Sequence, residues 1–332
     1  MFTLYRTTLA ICCMATLLPL GTQAAEPQTP PAAAESPTAP APRPPLAERS
    51  QEDAQALERT VPKAEQQTLQ ADAENFLALW KPANDADPKG AVIIVPGAGE
   101  NADWPDAVGP LRRKFPDVGW HSLSVSLPDL VSDSPQPRVE SKPAPEPEKG
   151  KGESAPAKDT PEDANANVAQ ATAAEADAAE STDAKDASEQ NDPADAERIF
   201  ARLDAAVAFA QQHSVRTIAL VGHGSGAYWA ARYLSERQPP QVQKLVMIAA
   251  QTPAQVEQDL EALAPTVKVP TADVYYSTQP RDRRAAELRL QASKRQKDSQ
   301  YRQLALIAMP GNAAAQQEQL FRRVRGWLMP QE

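Results

Sequence analysis

The segment from Gly222 to Gly226, Gly-His-Gly-Ser-Gly, places a serine and a histidine in a glycine-rich turn. A serine hydroxyl acts as a nucleophile when a base, normally a histidine held by a carboxylate, takes its proton. The chain has three histidines, His121, His213 and His223, and none of them follows the turn. Ser225 is therefore a candidate nucleophile for which the later sequence supplies no histidine base.

A second glycine-rich segment offers backbone groups instead of side chains. Gly97, Ala98 and Gly99 follow the apolar run "AVIIV", and their N–H groups could face an anion together with a helix that starts at Gly224 or Ser225. We expect a pocket for a carboxylate or phosphate here; a plain tight turn is the alternative. The histidines show no metal-ligand spacing, so we expect no metal and no other cofactor.

The elements that must position these residues follow an alternating pattern. Seven apolar runs are typical of strands and are separated by helix-like segments, as in a parallel sheet covered on both faces. Runs such as "AVIIV" and "IALV" lack polar alternation, which indicates strands buried on both sides. The predicted strands are 75–80, 90–97, 121–128, 215–223, 243–250, 271–277 and 303–311, and the predicted helices are 106–115, 194–213, 226–237, 280–299 and 313–328. On the fourth helix a basic stripe is expected from Arg281, Arg283, Arg284 and Arg289.

Three segments fall outside this pattern. In residues 1–25, Arg6 is followed by a short apolar run and then by small residues, which is the pattern of a signal peptide. This pattern predicts export to the periplasm. Both cysteines lie in that run, and lipidation there is the alternative. Residues 26–60, rich in Pro and Ala, are expected to form a disordered tether. Residues 131–190, with 14 acidic and 6 basic residues and no aromatic, Leu or Ile, predict a disordered acidic insert.

The folded domain is thus expected in two parts, 61–130 and 191–332. No later apolar run is long enough to span a bilayer, and no basic or aromatic cluster indicates a nucleic-acid partner. The net charge of −10 resides largely in the predicted insert.

The motifs are similar to those of a known superfamily. The strand "TIALVGH", the glycine-rich turn and the helix "GAYWAARYL" resemble the nucleophile elbow of the α/β-hydrolases, and "IIVPGAGENADWP" resembles the strand and oxyanion loop earlier in that fold. More narrowly, "VPGAG…DWP", "SLSVSLPD" and "GHGSGA" resemble a family of exported Gram-negative bacterial proteins that carry a domain of unknown function. The resemblance implies an α/β-hydrolase-like three-layer sandwich with a mostly parallel sheet, interrupted by the insert.

The register of the elbow separates this chain from active members of the superfamily. There the turn reads Gly-x-nucleophile-x-Gly, which puts Gly224 at the nucleophile position and Ser225 one residue later. Using Ser225 as the nucleophile would shift the frame and put His223 where a glycine is wanted. The resemblance also places Gln279 at the acid position, with Asp282 three residues late, and Asn312 or Ala313 at the histidine position.

Two functions stay open on these grounds. The first is a catalytically degenerate hydrolase fold that binds a small anion or another protein of the cell envelope. The second is a divergent serine esterase or acyl hydrolase in which Ser225 is activated by Asp282 or a lysine. Under the first, Ser225 is expected to cap the helix or to tighten the turn, and His223 is expected to be structural.

Deletion of residues 135–190 is expected to leave the melting temperature nearly unchanged, because this segment offers little apolar surface to bury. Differential scanning calorimetry of the full chain and the deletion variant measures the difference. A large fall in melting temperature would mean that the segment folds against the domain.

Overall fold

The computed structural model describes residues 48–130, 192–254, 256–296 and 299–329. The predicted signal peptide, residues 26–47 of the predicted tether and the predicted insert lie outside these ranges. Within them, no helix is long and apolar enough to cross a membrane.

Eight strands form one sheet in the order β1-β2-β4-β3-β5-β6-β7-β8. The β1–β2 and β2–β4 pairs are antiparallel, and every later pair is parallel. The strands are β1 (Gln66–Ala71), β2 (Glu74–Lys81), β3 (Gly90–Val95), β4 (Trp120–Val125), β5 (Ile218–His223), β6 (Val242–Ile248), β7 (Thr271–Tyr276) and β8 (Tyr301–Leu306).

Helices cover both faces of this sheet. They are α1 (Arg49–Thr60), α2 (Val108–Lys114), α3 (192–212), α4 (Ser225–Glu236), the short α5 (Leu260–Leu263), α6 (Pro280–Lys294) and α7 (Ala313–Leu328). One core lies between the sheet and α3 and α4, and includes Ile93 and Leu220. The other lies between the sheet and α2 and α7, and includes Val92 and Val221. Successive strand residues thus enter opposite cores, which confirms the predicted three-layer α/β architecture.

The predicted strands are all present, but most were predicted to run past their true ends. Residues 96–97, 126–128, 249–250 and 307–311 belong to the loops that leave the carboxyl ends of the strands. The edge strand β1 was missed because its sequence has no apolar run and only Ala71 is buried. Most of its residues are polar: Gln66, Gln67, Thr68 and Gln70.

The prediction of a disordered tether up to residue 60 was wrong for its last part. Helix α1 buries Leu57, and Val61 just after it, against Leu77 and Leu79 of β2. Its first turn is held by the Ser50 N–H, which donates to the Asp129 carboxylate at 2.9 Å. Composition averaged over 26–60 concealed this short helix.

The predicted basic stripe on α6 needs a similar correction. Arg281, Arg283 and Arg284 are exposed, but Arg289 is 1% exposed and pairs with Asp273 of β7 through two hydrogen bonds of 2.9 and 3.0 Å. The Tyr301 hydroxyl donates to the same carboxylate. Burial and the Asp273 charge together raise the pKa of Tyr301. Arg289 is therefore part of an internal ion pair that joins α6 to β7.

Two of the three histidines serve packing. The Trp80 ring stacks on His121 and on His213, with centroid distances of 5.0 and 4.8 Å. Burial, and to a lesser extent His213, lower the pKa of His121. His121 Nδ1 also accepts a hydrogen bond from the Ala83 N–H at 3.1 Å.

Substituting Leu57→Ala is expected to destabilise the protein by about 2 kcal/mol, because α1 would lose its buried side chain against β2. Urea unfolding followed by circular dichroism measures the change. Glu52→Ala, at an exposed position of the same helix, is the matched control and should have little effect. Equal stability of both variants would contradict the packing of α1 against β2 and would support a disordered tether up to residue 60.

Candidate functional site

The glycine-rich turn joins β5 to α4 at the carboxyl edge of the sheet. β5 ends at His223, α4 begins at Ser225, and Gly224 stands between them with φ 56° and ψ −125°. The Gly224 N–H donates to the Ile248 carbonyl at 3.0 Å, and the Gly224 carbonyl accepts from the Gln251 N–H at 3.1 Å. These two bonds hold the positive-φ conformation of Gly224 against the end of β6 and the loop that follows it. The turn is thus a sharp strand-to-helix elbow.

The glycines on either side of the apex allow close backbone approach. A Cβ atom on Gly226 would lie closer than 3.0 Å to the carbonyl oxygens of Val95 and Pro96, and one on Gly222 closer than 3.0 Å to Ala227 Cα. A Cβ atom on Gly224, in contrast, would meet only Gly97 Cα, at 3.8 Å. The space above the apex is open, although the backbone there is strained for any residue with a side chain.

Ser225 does not cap α4 as expected. Helix α4 has no side-chain cap hydrogen bond, and the Ser225 hydroxyl instead accepts a hydrogen bond from the Ala98 N–H at 2.7 Å. Ser225 is 8% exposed. Its side chain therefore ties the elbow to the loop after β3.

His223 forms a pair with Glu100, a residue that the sequence interpretation did not single out. Its Nδ1 lies 2.7 and 2.9 Å from the two carboxylate oxygens of Glu100. Glu100 Oε2 also accepts a hydrogen bond from the Gly97 N–H at 2.7 Å. The only sequence signal was a carboxylate directly after the "PGAG" loop.

The loop predicted to receive an anion is thus filled from within the protein. The Gly97 N–H donates to Glu100 and the Ala98 N–H to Ser225, while Gly99 closes the turn with φ 79°. Backbone N–H groups that point at a protein carboxylate and a protein hydroxyl are not available to an external anion unless those side chains move.

The residues at the predicted acid and histidine positions lie at the starts of α6 and α7. Gln279 precedes α6 without a side-chain cap bond, and Asp282 lies in the first turn of that helix. Burial raises the pKa of Asp282, although the Arg289 charge opposes this. Asn312 caps α7 by accepting the Ala315 N–H at 3.1 Å, and Ala313 begins that helix. None of these four residues lines the cavity at the elbow.

That cavity has a volume of about 350 Å³ and lies above Gly224 and Ser225. Its polar wall includes His223 and the carboxylates of Glu100, Asp192 and Asp195, with no lysine or arginine among the lining residues. The Asp192 carboxylate accepts a hydrogen bond of 2.6 Å from Arg232, which does not itself line the cavity. The apolar wall is formed by Leu130, Trp229, Ala249, Pro253, Ala254 and Val256.

The cavity can hold a small molecule through hydrogen bonds and apolar contact. Across the described ranges, no group of three or more His, Cys, Asp or Glu residues has the geometry to hold a metal ion.

Solved structures of low sequence identity are similar to this chain in fold. A candidate dienelactone hydrolase from Klebsiella pneumoniae is 12% identical, with a TM-score of 0.51, and the match covers 79% of this chain and 96% of that one. An esterase of Pyrococcus furiosus, Pf2001, is 11% identical, with a TM-score of 0.51 and coverage of 80% and 89%. Est1E from Butyrivibrio proteoclasticus is 8% identical, with a TM-score of 0.50 and coverage of 80% and 97%. At such identities the likeness concerns the fold.

The sheet order, the elbow and the likeness to these structures define an α/β-hydrolase fold. Over residues 6–330 the chain matches the family described as protein of unknown function (DUF3530), and it belongs to that family. No curated protein sequence matches it.

Gly226→Ala is expected to destabilise the protein by at least about 2 kcal/mol, because the new methyl group would overlap the carbonyls of Val95 and Pro96. Gly326→Ala is the matched control, since Gly326 is also helical and has nothing within 4 Å of its would-be Cβ. That control should gain up to about 1 kcal/mol from helix propensity. Chemical denaturation of both variants tests the pair, and a stable Gly226→Ala protein would contradict the close approach.

Proposed function

We propose that this protein is a catalytically inactive member of the α/β-hydrolase superfamily that binds a small ligand in the cavity above the elbow. The observation that carries the proposal is Gly224 at the apex of the turn, where the superfamily holds its nucleophile. A glycine has no group with which to attack a carbonyl carbon.

The contacts of Ser225 support the same view. A serine nucleophile gives its proton to a base, yet the described residues supply its hydroxyl with no histidine, lysine or carboxylate partner. The nearest histidine along the chain, His223, directs its Nδ1 to Glu100. The Ser225 hydroxyl lies instead against the Ala98 N–H, where an active hydrolase would stabilise an oxyanion.

The lining also bears on the ligand. An anion would meet Glu100 at the loop 97–99, and no lysine or arginine lines the cavity to attract it. These contacts favour a neutral or cationic ligand with hydrogen-bond donors over the carboxylate or phosphate that the glycine-rich loop alone predicted. Its apolar part would contact Leu130 and Trp229.

Covalent labelling distinguishes the proposed inactive protein from the alternative, a divergent esterase that uses Ser225. A fluorophosphonate probe reacts with activated serines. Because Ser225 has no base partner in the described part of the chain, we expect no mass increase for the protein purified from a periplasmic fraction. An active serine esterase treated in parallel is the positive control. Intact mass also reports whether residues 1–25 have been removed, as the predicted export requires. Labelling that disappears in Ser225→Ala would refute the proposal of an inactive site and establish Ser225 as an activated nucleophile.

A further inference from the structure

A second cavity, of about 290 Å³, lies between helix α1 and the strands β1 and β2. It shares no lining residue with the cavity above the elbow. Phe76, Leu77 and Ala54 give it apolar walls, and Ser126 and Arg202 are part of its polar wall. The sequence interpretation did not foresee it, because α1 was assigned to the tether.

Ser126 brings an unsatisfied hydroxyl to this cavity. The residue is 7% exposed, and its Oγ has no hydrogen-bond partner among the described residues. A buried hydroxyl without a partner is unfavourable, and few remain so in native proteins without a reason. The Oγ atom itself has almost no accessible surface, so rotation about the Cα–Cβ bond of Ser126 is needed before it donates to an acceptor in the cavity.

Arg202 brings a buried and weakly compensated positive charge. It is 7% exposed, and its guanidinium donates to the Ser126 carbonyl at 2.7 Å and lies over the Phe76 ring, 5.1 Å from its centroid. Its carboxylate partner, Glu74, is 3.4 Å away and 54% exposed, and Arg198 lies 3.7 Å from that same side chain. Burial lowers the pKa of Arg202, against the opposing effect of Glu74.

A buried cation of this kind is stabilised by a well-placed anion. A guanidinium matches a carboxylate in shape and can form two parallel hydrogen bonds with it. The carboxylate among the lining residues, Glu58, lies on the exposed side of α1. The inner wall therefore has donors and positive charge, next to an aliphatic surface from Leu77 and Ala54.

We propose that this cavity is a binding site for a small organic carboxylate, whose charged group pairs with Arg202 and accepts a hydrogen bond from Ser126. The apolar body of the ligand packs on Leu77 and Ala54, on the side of the sheet that α1 covers. A cavity of about 150 Å³ holds a benzene molecule, so a site of this volume accepts an aromatic acid of the size of benzoate. The site is separate from the elbow and goes beyond the function proposed above.

Benzoate is the probe that tests this inference, with isothermal titration calorimetry on the full chain. Saturable binding of benzoate is expected, and its neutral analogue benzamide should bind at least about tenfold more weakly, because the pairing with a charged group is lost. Binding of benzamide as tight as that of benzoate would overturn recognition of a carboxylate. Failure of benzoate to bind at millimolar concentration would overturn the site itself.

Three variants locate the binding. Ser126→Ala removes one hydrogen bond and should weaken benzoate binding by about two- to tenfold, while the melting temperature without benzoate stays equal or rises. Arg202→Lys keeps the charge but loses the planar fork, and should weaken binding further. Glu100→Gln, in the cavity above the elbow, is the control and should leave benzoate affinity unchanged.

The outcomes are distinct from those of the labelling experiment. Benzoate affinity that is unchanged in both Ser126→Ala and Arg202→Lys would overturn the assignment to this cavity. A change in Glu100→Gln alone would assign benzoate to the elbow cavity and overturn the inference, whatever the fluorophosphonate result. Should Arg202→Lys fail to fold, Ser126→Ala still decides, since it removes only a group that has no partner.

Discussion

The contact on which the rest of the site depends is the approach of the first turn of α4 to the carbonyl oxygens at the end of β3. Gly226 makes this approach possible, because any side chain there would overlap Val95 and Pro96. It brings the loop after β3 and the elbow after β5 within hydrogen-bond distance. The bond from Ala98 to Ser225 and the pair of His223 and Glu100 both follow from it.

These bonds are the structural basis for the proposal that the site is catalytically inactive. An oxyanion hole acts by presenting free, preorganised donors to charge that develops in the transition state. Here Glu100 and Ser225 already satisfy the donors of Gly97 and Ala98, so the backbone has little left to offer a reacting carbonyl oxygen. What is left is a walled cavity with polar and apolar sides, which is the basis for the proposed binding of a small ligand.

The central strands and the elbow could be predicted because their signals are local. Apolar runs without alternation mark β3 and β5, and the spacing of Gly222, Gly224 and Gly226 marks a sharp turn. Arg289 was misassigned because its partner, Asp273, is on another element and a helix sequence does not reveal which arginine is buried. Glu100 was missed, and the role of the Ser225 hydroxyl was misread, for the same reason: the partners His223 and Ala98 come from distant parts of the chain.

The glycine at the apex of the elbow also lowers the strain energy of the backbone at this position. In a serine hydrolase the nucleophile holds a backbone conformation that residues with side chains resist, and the rest of the protein must stabilise that strain. Gly224 adopts φ 56° with far less strain. Under the proposed binding function, the usual conflict between stability and activity is relaxed at this point, and changes in the surrounding loops no longer have to preserve a strained nucleophile.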